Sequence, residues 1–144
     1  MTAEDLRKLR LPVVAAPMFL VSGPDMVIAA ARSGIVGAFP TPNCRTAEQL
    51  DEWMTRIVAE TDGAPGLWAA NLVTHSSNPR LADDLALVAK HKPPLVITAL
   101  GSPAPAIETV HGYGGLVLAD VVNETLGRKA AAAGADGLVA EIEE

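Results

Sequence analysis

Six short runs of continuously apolar residues, separated by longer stretches with helical periodicity, constrain the fold of this chain more than any other feature. The runs cover residues 11–18, 35–40, 67–73, 95–100, 116–122 and 137–142. They begin 24, 32, 28, 21 and 21 residues apart, a length that accommodates one strand followed by one helix. Strands that are apolar throughout, rather than at every second position, are typical of sheets with helices on both faces. The sequence therefore predicts an α/β fold with a parallel sheet.

The stretches between the apolar runs carry the residues that start and end helices. Starts are predicted at Ser22-Gly23-Pro24-Asp25 and Thr46-Ala47-Glu48-Gln49, which have capping-box spacing, and at Asn78-Pro79, Ser102-Pro103 and Asn123-Glu124. Four of the ends are marked by Gly34, Gly63, Gly114 and Gly134. The segment Lys90-His91-Lys92 lies at the predicted end of the third helix, where cations interact with the helix dipole and solvent; a binding patch is the alternative. We expect five helices between six strands.

The length and the net charge of the chain limit the folds and the kinds of binding partner that are expected. The 144 residues suffice for one domain with a single core but fall short of the roughly 250 residues of a closed eight-unit barrel. Hydrophobic residues make up 49% of the chain, which is typical of a globular protein. The net charge of −6 leaves no basic face, which disfavours nucleic acid and membrane surfaces and favours a small-molecule partner.

The amino terminus and the cysteine content predict the compartment. Cys44 is the single cysteine and has no partner for an internal disulfide. The first twelve residues carry charges where a signal peptide needs an apolar core. We therefore expect a cytoplasmic protein.

Ligands of parallel β/α sheets bind at the carboxyl ends of the strands, so the residues just past each apolar run are the candidates for a site. These are Ala16-Pro17-Met18, residues 40–43, Asn71 with Thr74, His75 and Ser76, residues 98–102, Asp120 with Asn123, and residues 141–144. Proline cannot donate to a sheet ladder, so Pro17 marks where the first strand leaves its hydrogen bonds. Met18 then offers a polarizable side chain to a flat ring, although both residues also suit a strand end and a core methionine.

Three polar side chains in this set are candidates for a role in the site, and each also has a structural or incidental explanation. Asn71 follows apolar residues within a strand, where its amide needs partners and either binds a ligand or ties down a neighbouring loop. Asp120 lies within the fifth apolar run, and a site role is favoured over an internal salt bridge. His75 is a candidate acid or base, but a lone loop histidine is more often incidental, and we do not expect it to be the catalytic base.

Several common motifs are missing from the sequence. It contains no GxGxxG after a strand, no GxxxxGK[ST], no CxxC, no HExxH and no GxSxG. Their absence disfavours nucleotide hydrolysis, zinc chemistry and serine hydrolysis. The phosphate cradle of a barrel usually follows strands seven and eight, so we expect it to lie past residue 144.

The ordered set of motifs resembles the nitronate monooxygenases, also called 2-nitropropane dioxygenases. The segments that carry the resemblance are LPVVAAPM followed by FLVSGP at 11–24, GIVGAFP at 34–40, AANLV at 69–73, PLVIT at 94–98 and AGADGLV at 133–139. The family has the FMN-dependent (β/α)₈ barrel fold, and the resemblance implies that residues 1–144 are the amino-terminal part of a single TIM-barrel domain that stops before closure. With FMN as cofactor, its members oxidise alkyl nitronates with molecular oxygen to carbonyl compounds and nitrite.

The resemblance also implies roles for individual residues. The backbone of Ala16, Pro17 and Met18 is expected to lie against the flavin ring, and Asn71 to hydrogen-bond the flavin or its surroundings. Asp120 matches a cofactor-proximal position at which some relatives carry a basic residue. The family's catalytic histidine belongs to an AGGH segment that we expect beyond Glu144, together with the phosphate-binding loops. A reading frame without an AGGH-like segment within ten residues of Glu144 would contradict this assignment.

Two other interpretations remain open. The 144 residues can be a non-catalytic domain that self-associates through its open sheet edges. Alternatively, the barrel can be a flavin-dependent enoyl-thioester reductase, because related barrels share a similar opening strand. In each case we expect this chain alone to retain flavin weakly or not at all.

Overall fold

A computed structural model of the chain, which describes residues 1–141, contains one six-stranded parallel sheet. The strands are β1 (Val14–Ala15), β2 (Val36–Pro40), β3 (Leu67–Val73), β4 (Leu95–Ala99), β5 (Leu116–Val121) and β6 (Gly137–Ala140). The helices are α1 (Pro24–Arg32), α2 (Ala47–Glu60), α3 (Leu81–His91), α4 (Ala104–Gly112) and α5 (Glu124–Ala133), with short 3₁₀ helices at Ala3–Lys8 and Thr41–Asn43. Each strand pairs with its neighbours in sequence, so the sheet order is β1-β2-β3-β4-β5-β6. The predicted fold class is confirmed: the chain forms an open part of a (β/α) barrel.

Two apolar clusters lie on opposite faces of the sheet. The outer cluster, between sheet and helices, contains Phe39, Leu50, Met54, Ile57 and Leu72, all fully buried. The inner cluster, on the face that lines a barrel's interior, contains Val36, Ala38, Ala69, Leu95, Ile97 and Leu116. This two-sided burial is the physical reason why the strands are apolar at every position.

The first 3₁₀ helix covers the amino-terminal side of the inner cluster. Leu6 and Leu9 pack against that cluster, while the charged side chains of the segment face solvent. The sequence did not predict this element, because two apolar residues within a charged segment are too few to show the periodicity of a helix.

The first strand is much shorter than predicted. The apolar run at 11–18 forms only the two-residue strand Val14–Ala15, which pairs with Val36 and Gly37. Pro12 and Pro17 flank it, and proline has no amide hydrogen to donate to the ladder. Strands β2 to β5 begin and end within one residue of the predicted limits. The predicted sixth run extends to Ile142, which lies outside the described residues, as do the last residues of the 141–144 segment.

Two of the five helices have the predicted capping residue, whereas α3 and α4 begin after Arg80 and Pro103 without a side-chain cap. Thr46 caps α2 by accepting a hydrogen bond from the Gln49 amide at 3.1 Å, and Asn123 caps α5 by accepting from the Leu126 amide at 2.9 Å. The capping box predicted at Ser22 is wrong. Gly23 is the N-cap of α1, without a side-chain bond, because the Ser22 hydroxyl instead accepts a hydrogen bond from the Met18 amide at 2.9 Å.

The basic segment at 90–92 joins two helices instead of only facing solvent. Lys90 and His91 of α3 contact the Asp51 carboxylate of α2 at 2.8 and 2.5 Å. Hydrogen bonds from Lys90 and His91 hold the pKa of Asp51 below its ordinary value. Lys92 ends α3 in the left-handed conformation.

Within residues 1–141, no helix combines the length and hydropathy needed to cross a membrane.

The open sheet edges lead to a prediction about association of the 144-residue chain. Strands β1 and β6 each pair on one side only, and apolar side chains beside them are exposed, namely Val13 and Val14 at one edge and Leu138 at the other. Unpaired edges with exposed apolar side chains favour association. We expect light scattering at tens of micromolar to give a mass above the 14.9 kDa of the monomer. Leu138→Lys should lower that mass; a monomeric wild-type chain would contradict the prediction.

Candidate active site

Strand alternation brings Asn71 and Asp120 to the same face of the sheet. Side chains two residues apart on a strand point to the same side. Asn71 follows Ala69, and Asp120 lies four residues after Leu116, and both reference residues belong to the inner cluster. The two polar side chains therefore lie on the inner face, near the carboxyl ends of β3 and β5. This is where a barrel of this type binds its ligand.

Asn71 uses its amide group within the sheet. Its Nδ2 donates to the carbonyl oxygen of Ile97 at 3.0 Å, and Ile97 is also its register partner on β4. The Asn71 amide therefore binds the adjacent strand, and not the neighbouring loop that the sequence left open as an alternative to a ligand. Among residues 1–141 the Oδ1 atom has no hydrogen-bond donor, so it stays available to a ligand.

Asp120 is half-buried and has no ion pair within the described residues. Its Oδ1 atom is fully buried without a hydrogen-bond partner. Asp120 is one of the residues that line a cavity of about 430 Å³, together with the loop after β4, the end of β5 and Lys129 of α5. A buried carboxylate oxygen without a donor is costly to the fold. The cavity is thus suited to a ligand that carries a hydrogen-bond donor.

The segment after β1 forms a compact loop, residues 18–22, which we call the β1 loop. The Met18 amide donates to the Ser22 hydroxyl, and the Met18 carbonyl accepts from the Ser22 amide at 3.0 Å. The Met18 backbone is therefore engaged within the loop, and its side chain is half-exposed. Ala16 is exposed and Pro17 is partly exposed.

The most exposed large apolar side chains all follow carboxyl ends of strands. These residues, between 63% and 78% exposed, are Phe19, Leu20, Val21, Leu100 and Val122. Leu100 and Val122 were predicted as the last residues of their strands, but β4 and β5 each end one residue earlier. Each apolar run therefore continues one residue past the last residue of its strand, and that last apolar side chain is exposed. We call the five residues the apolar rim.

The remaining candidates have local structural roles. His75 is exposed, and its Nδ1 lies 2.7 Å from the Ser77 hydroxyl and 3.1 Å from the Ser77 amide. Within residues 1–141 its ring makes hydrogen bonds to Ser77 and to neither Asn71 nor Asp120. Ser102 accepts from the Ala104 amide at 3.2 Å at the start of α4.

A buried ion pair that sequence reasoning missed lies on the outer face, beneath the loops after β2 and β3. Asp84 of α3 accepts hydrogen bonds from the Thr41 hydroxyl at 2.9 Å and from Arg80 at 3.1 Å, and Arg80 also donates to the carbonyl of Cys44. Burial raises the pKa of Asp84, and Thr41 and Arg80 oppose the shift. Burial likewise raises the pKa of the Cys44 thiol to about 12, so this cysteine is not a nucleophile at neutral pH.

The comparisons with known proteins establish the fold. No family model matches the chain, and no curated protein matches it by sequence. FabK from Thermotoga maritima superposes with a TM-score of 0.82 at 22% identity, over 94% of this chain and 42% of its own. A nitroalkane oxidase from Streptomyces ansochromogenes superposes with a TM-score of 0.80 at 21% identity, over 94% of this chain and 47% of its own. The chain thus spans less than half of each of these structures.

Proposed function

We propose that this chain contributes part of the active site of an FMN-dependent oxidoreductase that oxidises alkyl nitronates with molecular oxygen to carbonyl compounds and nitrite. The observation that carries the proposal is the unpaired, buried Oδ1 of Asp120, a residue that lines a mostly apolar cavity at the carboxyl ends of the strands. The likeness in fold to a nitroalkane oxidase supports it. A cytoplasmic location remains part of this prediction.

The residues present fit the ring and sugar-alcohol portions of a flavin. Such a group carries N–H and O–H donors, which the Asp120 carboxylate and the Asn71 Oδ1 are able to accept. The Met18 side chain is exposed beside the same edge and suits contact with a flat ring. The electron-accepting chemistry belongs to the flavin when it is bound, whereas these side chains would orient it and exclude water.

A flavin titration of Asp120→Asn tests this assignment. The substitution keeps the shape of the side chain but removes a charged acceptor, and a hydrogen bond to a charged group contributes about 1.5–3 kcal/mol. We expect the dissociation constant for FMN, measured by quenching of flavin fluorescence, to rise about tenfold or more. Asp62→Asn is the matched control, because Asp62 is exposed in the turn before β3, at the opposite end of the strands. Equal affinity of Asp120→Asn and wild type would overturn the assignment.

Riboflavin provides a second arm of the same titration. If the described residues hold the ring and sugar alcohol but not the phosphate, riboflavin and FMN should bind this chain with similar and weak affinity. Much tighter binding of FMN would instead indicate a phosphate contact, for which Lys129 in the Asp120 cavity is the available cation. In that case the expected division of the flavin site between this chain and later barrel strands would be wrong.

A flavin-dependent enoyl-thioester reductase is the second candidate, and the apolar rim favours it because exposed apolar side chains at the carboxyl ends of the strands suit contact with an acyl chain. Two assays on the product of the entire reading frame separate the candidates. Release of nitrite from an alkyl nitronate supports the proposed oxidation. Oxidation of a reduced nicotinamide that depends on an enoyl thioester, without nitrite release, supports the reductase.

A further inference from the structure

We propose that Asn43 is a positioning residue that holds the β1 loop in the conformation required for flavin binding. The flavin part of this inference rests on the proposed function. Asn43 ends the 3₁₀ helix after β2, and its side chain reaches across to the loop after β1. The sequence marked residue 43 only as a member of a strand-end segment, without a role.

The side-chain amide of Asn43 makes three hydrogen bonds to the backbone of the β1 loop. Its Oδ1 accepts from the Leu20 amide at 2.8 Å, and its Nδ2 donates to the carbonyls of Met18 at 3.1 Å and Ser22 at 2.8 Å. One donor and two acceptors thus face one amide group, and every hydrogen of Nδ2 is used. Aspartate has the same shape but would place a carboxylate oxygen against two carbonyls. The pattern therefore specifies asparagine.

The bonded loop holds Leu20 in an unusual conformation. Leu20 has a φ of 62°, in the left-handed region that bulky residues rarely adopt, and its side chain is 78% exposed. Burial of the side chain does not offset this strain. Strained backbone that is held by surrounding bonds is typical of ligand-binding segments. The three hydrogen bonds from Asn43 to the β1 loop, which we call the clamp, thus fix a loop whose apolar side chains are exposed, as is the side chain of Met18.

Two variants and one control test the role. Asn43→Ala removes all three bonds, and Asn43→Asp retains only an acceptor for the Leu20 amide. Gln49→Glu is the control, because Gln49 accepts from the Arg45 amide and its replacement keeps that acceptor. Hydrogen exchange of the β1 loop amides is the first readout, and it needs no flavin. We expect exchange at Leu20 and Ser22 to accelerate about tenfold or more in both Asn43 variants and to stay unchanged in the control.

The second readout is the flavin itself, followed by its dissociation constant and by the change in its visible absorption on binding. We expect about tenfold weaker binding and loss of the spectral change in Asn43→Ala. Adding Leu20→Gly to Asn43→Ala should restore part of the flavin affinity and part of the spectral change, because glycine adopts the left-handed conformation without steric cost. A purely structural clamp predicts wild-type flavin binding in Asn43→Ala, so that there is no loss for Leu20→Gly to restore.

The outcomes separate this inference from the proposed function. Unchanged exchange in Asn43→Ala overturns the clamp. Faster exchange with wild-type flavin affinity overturns the positioning role but leaves the proposed function intact. A product of the entire reading frame that binds neither FMN nor riboflavin overturns both the flavin site and the positioning role, whatever the exchange data show.

Discussion

Replacing Arg80 with methionine is expected to lower the free energy of unfolding by about 3–5 kcal/mol at neutral pH, because it leaves the Asp84 carboxylate buried without its cation. Asp84 is 2% exposed, and the Thr41 hydroxyl would be its remaining side-chain partner within residues 1–141. Urea denaturation of wild type and variant measures the effect. A loss below about 1 kcal/mol would show that the ion pair contributes little.

The cost of Arg80→Met should shrink in acid. Burial already raises the pKa of Asp84 above its ordinary value of 3.8, and removal of Arg80 should raise it further. A group that binds its proton more tightly in the folded state stabilises the fold most at low pH, and this stabilisation is lost as pH rises from the unfolded pKa to the folded one. The difference between wild type and variant should therefore be smaller at pH 4 than at pH 7. A pH-independent difference would contradict this origin.

A second variant separates the buried charge from simple loss of packing. Arg80→Met combined with Asp84→Leu removes both charges and should recover much of the stability, because an apolar pair carries no desolvation penalty. Arg56→Met is the matched control. Arg56 is exposed and pairs with Asp25 and Glu60 at the surface, so we expect little change. A double variant as unstable as Arg80→Met alone would indicate that the lost contacts of the arginine, including its bond to the Cys44 carbonyl, dominate.

Local sequence patterns were sufficient to predict most of the fold. The apolar runs located β2 to β5, and Thr46 and Asn123 correctly marked two helix starts. These features depend on residues close in sequence, so spacing alone reveals them. The prediction at Ser22 was wrong because that hydroxyl accepts from an amide four residues earlier instead of one in the next helix.

The site could be predicted only in part, because its geometry depends on distant pairs. Asn71 and Asp120 were identified since a polar residue stands out within an apolar run. The role of Asn43 was not predicted, because its backbone partners lie 21 to 25 residues away in sequence. Arg80 and Asp84 are only four residues apart, but their burial depends on Thr41 and Cys44, which lie 43 and 36 residues away. The 78% exposure of Leu20 was equally hidden, since an apolar residue beside a strand is normally expected inside.

Gly37→Ala is expected to destabilise the fold by about 3 kcal/mol, at the upper end of the usual cost of overpacking. Helix α1 lies directly on β2 at this residue, and a Cβ atom there would stand 2.5 Å from the Val27 carbonyl oxygen and 2.7 Å from the Val27 Cα. These are backbone atoms, so the helix itself must move. Gly112→Ala is the control, because nothing lies within 4 Å of the added atom and alanine favours the helix.

The displacement of α1 should also reach the candidate site. The β1 loop leads directly into α1 through Ser22, and Asn43 holds that loop from the end of β2, the strand on which α1 packs. Moving α1 away from β2 therefore pulls the two sides of the clamp apart. We expect Gly37→Ala to lower the melting temperature and, at temperatures where it remains folded, to accelerate exchange of the Leu20 amide. Faster global unfolding with unchanged local exchange at Leu20 would instead show that the loop is fixed independently of the helix that follows it.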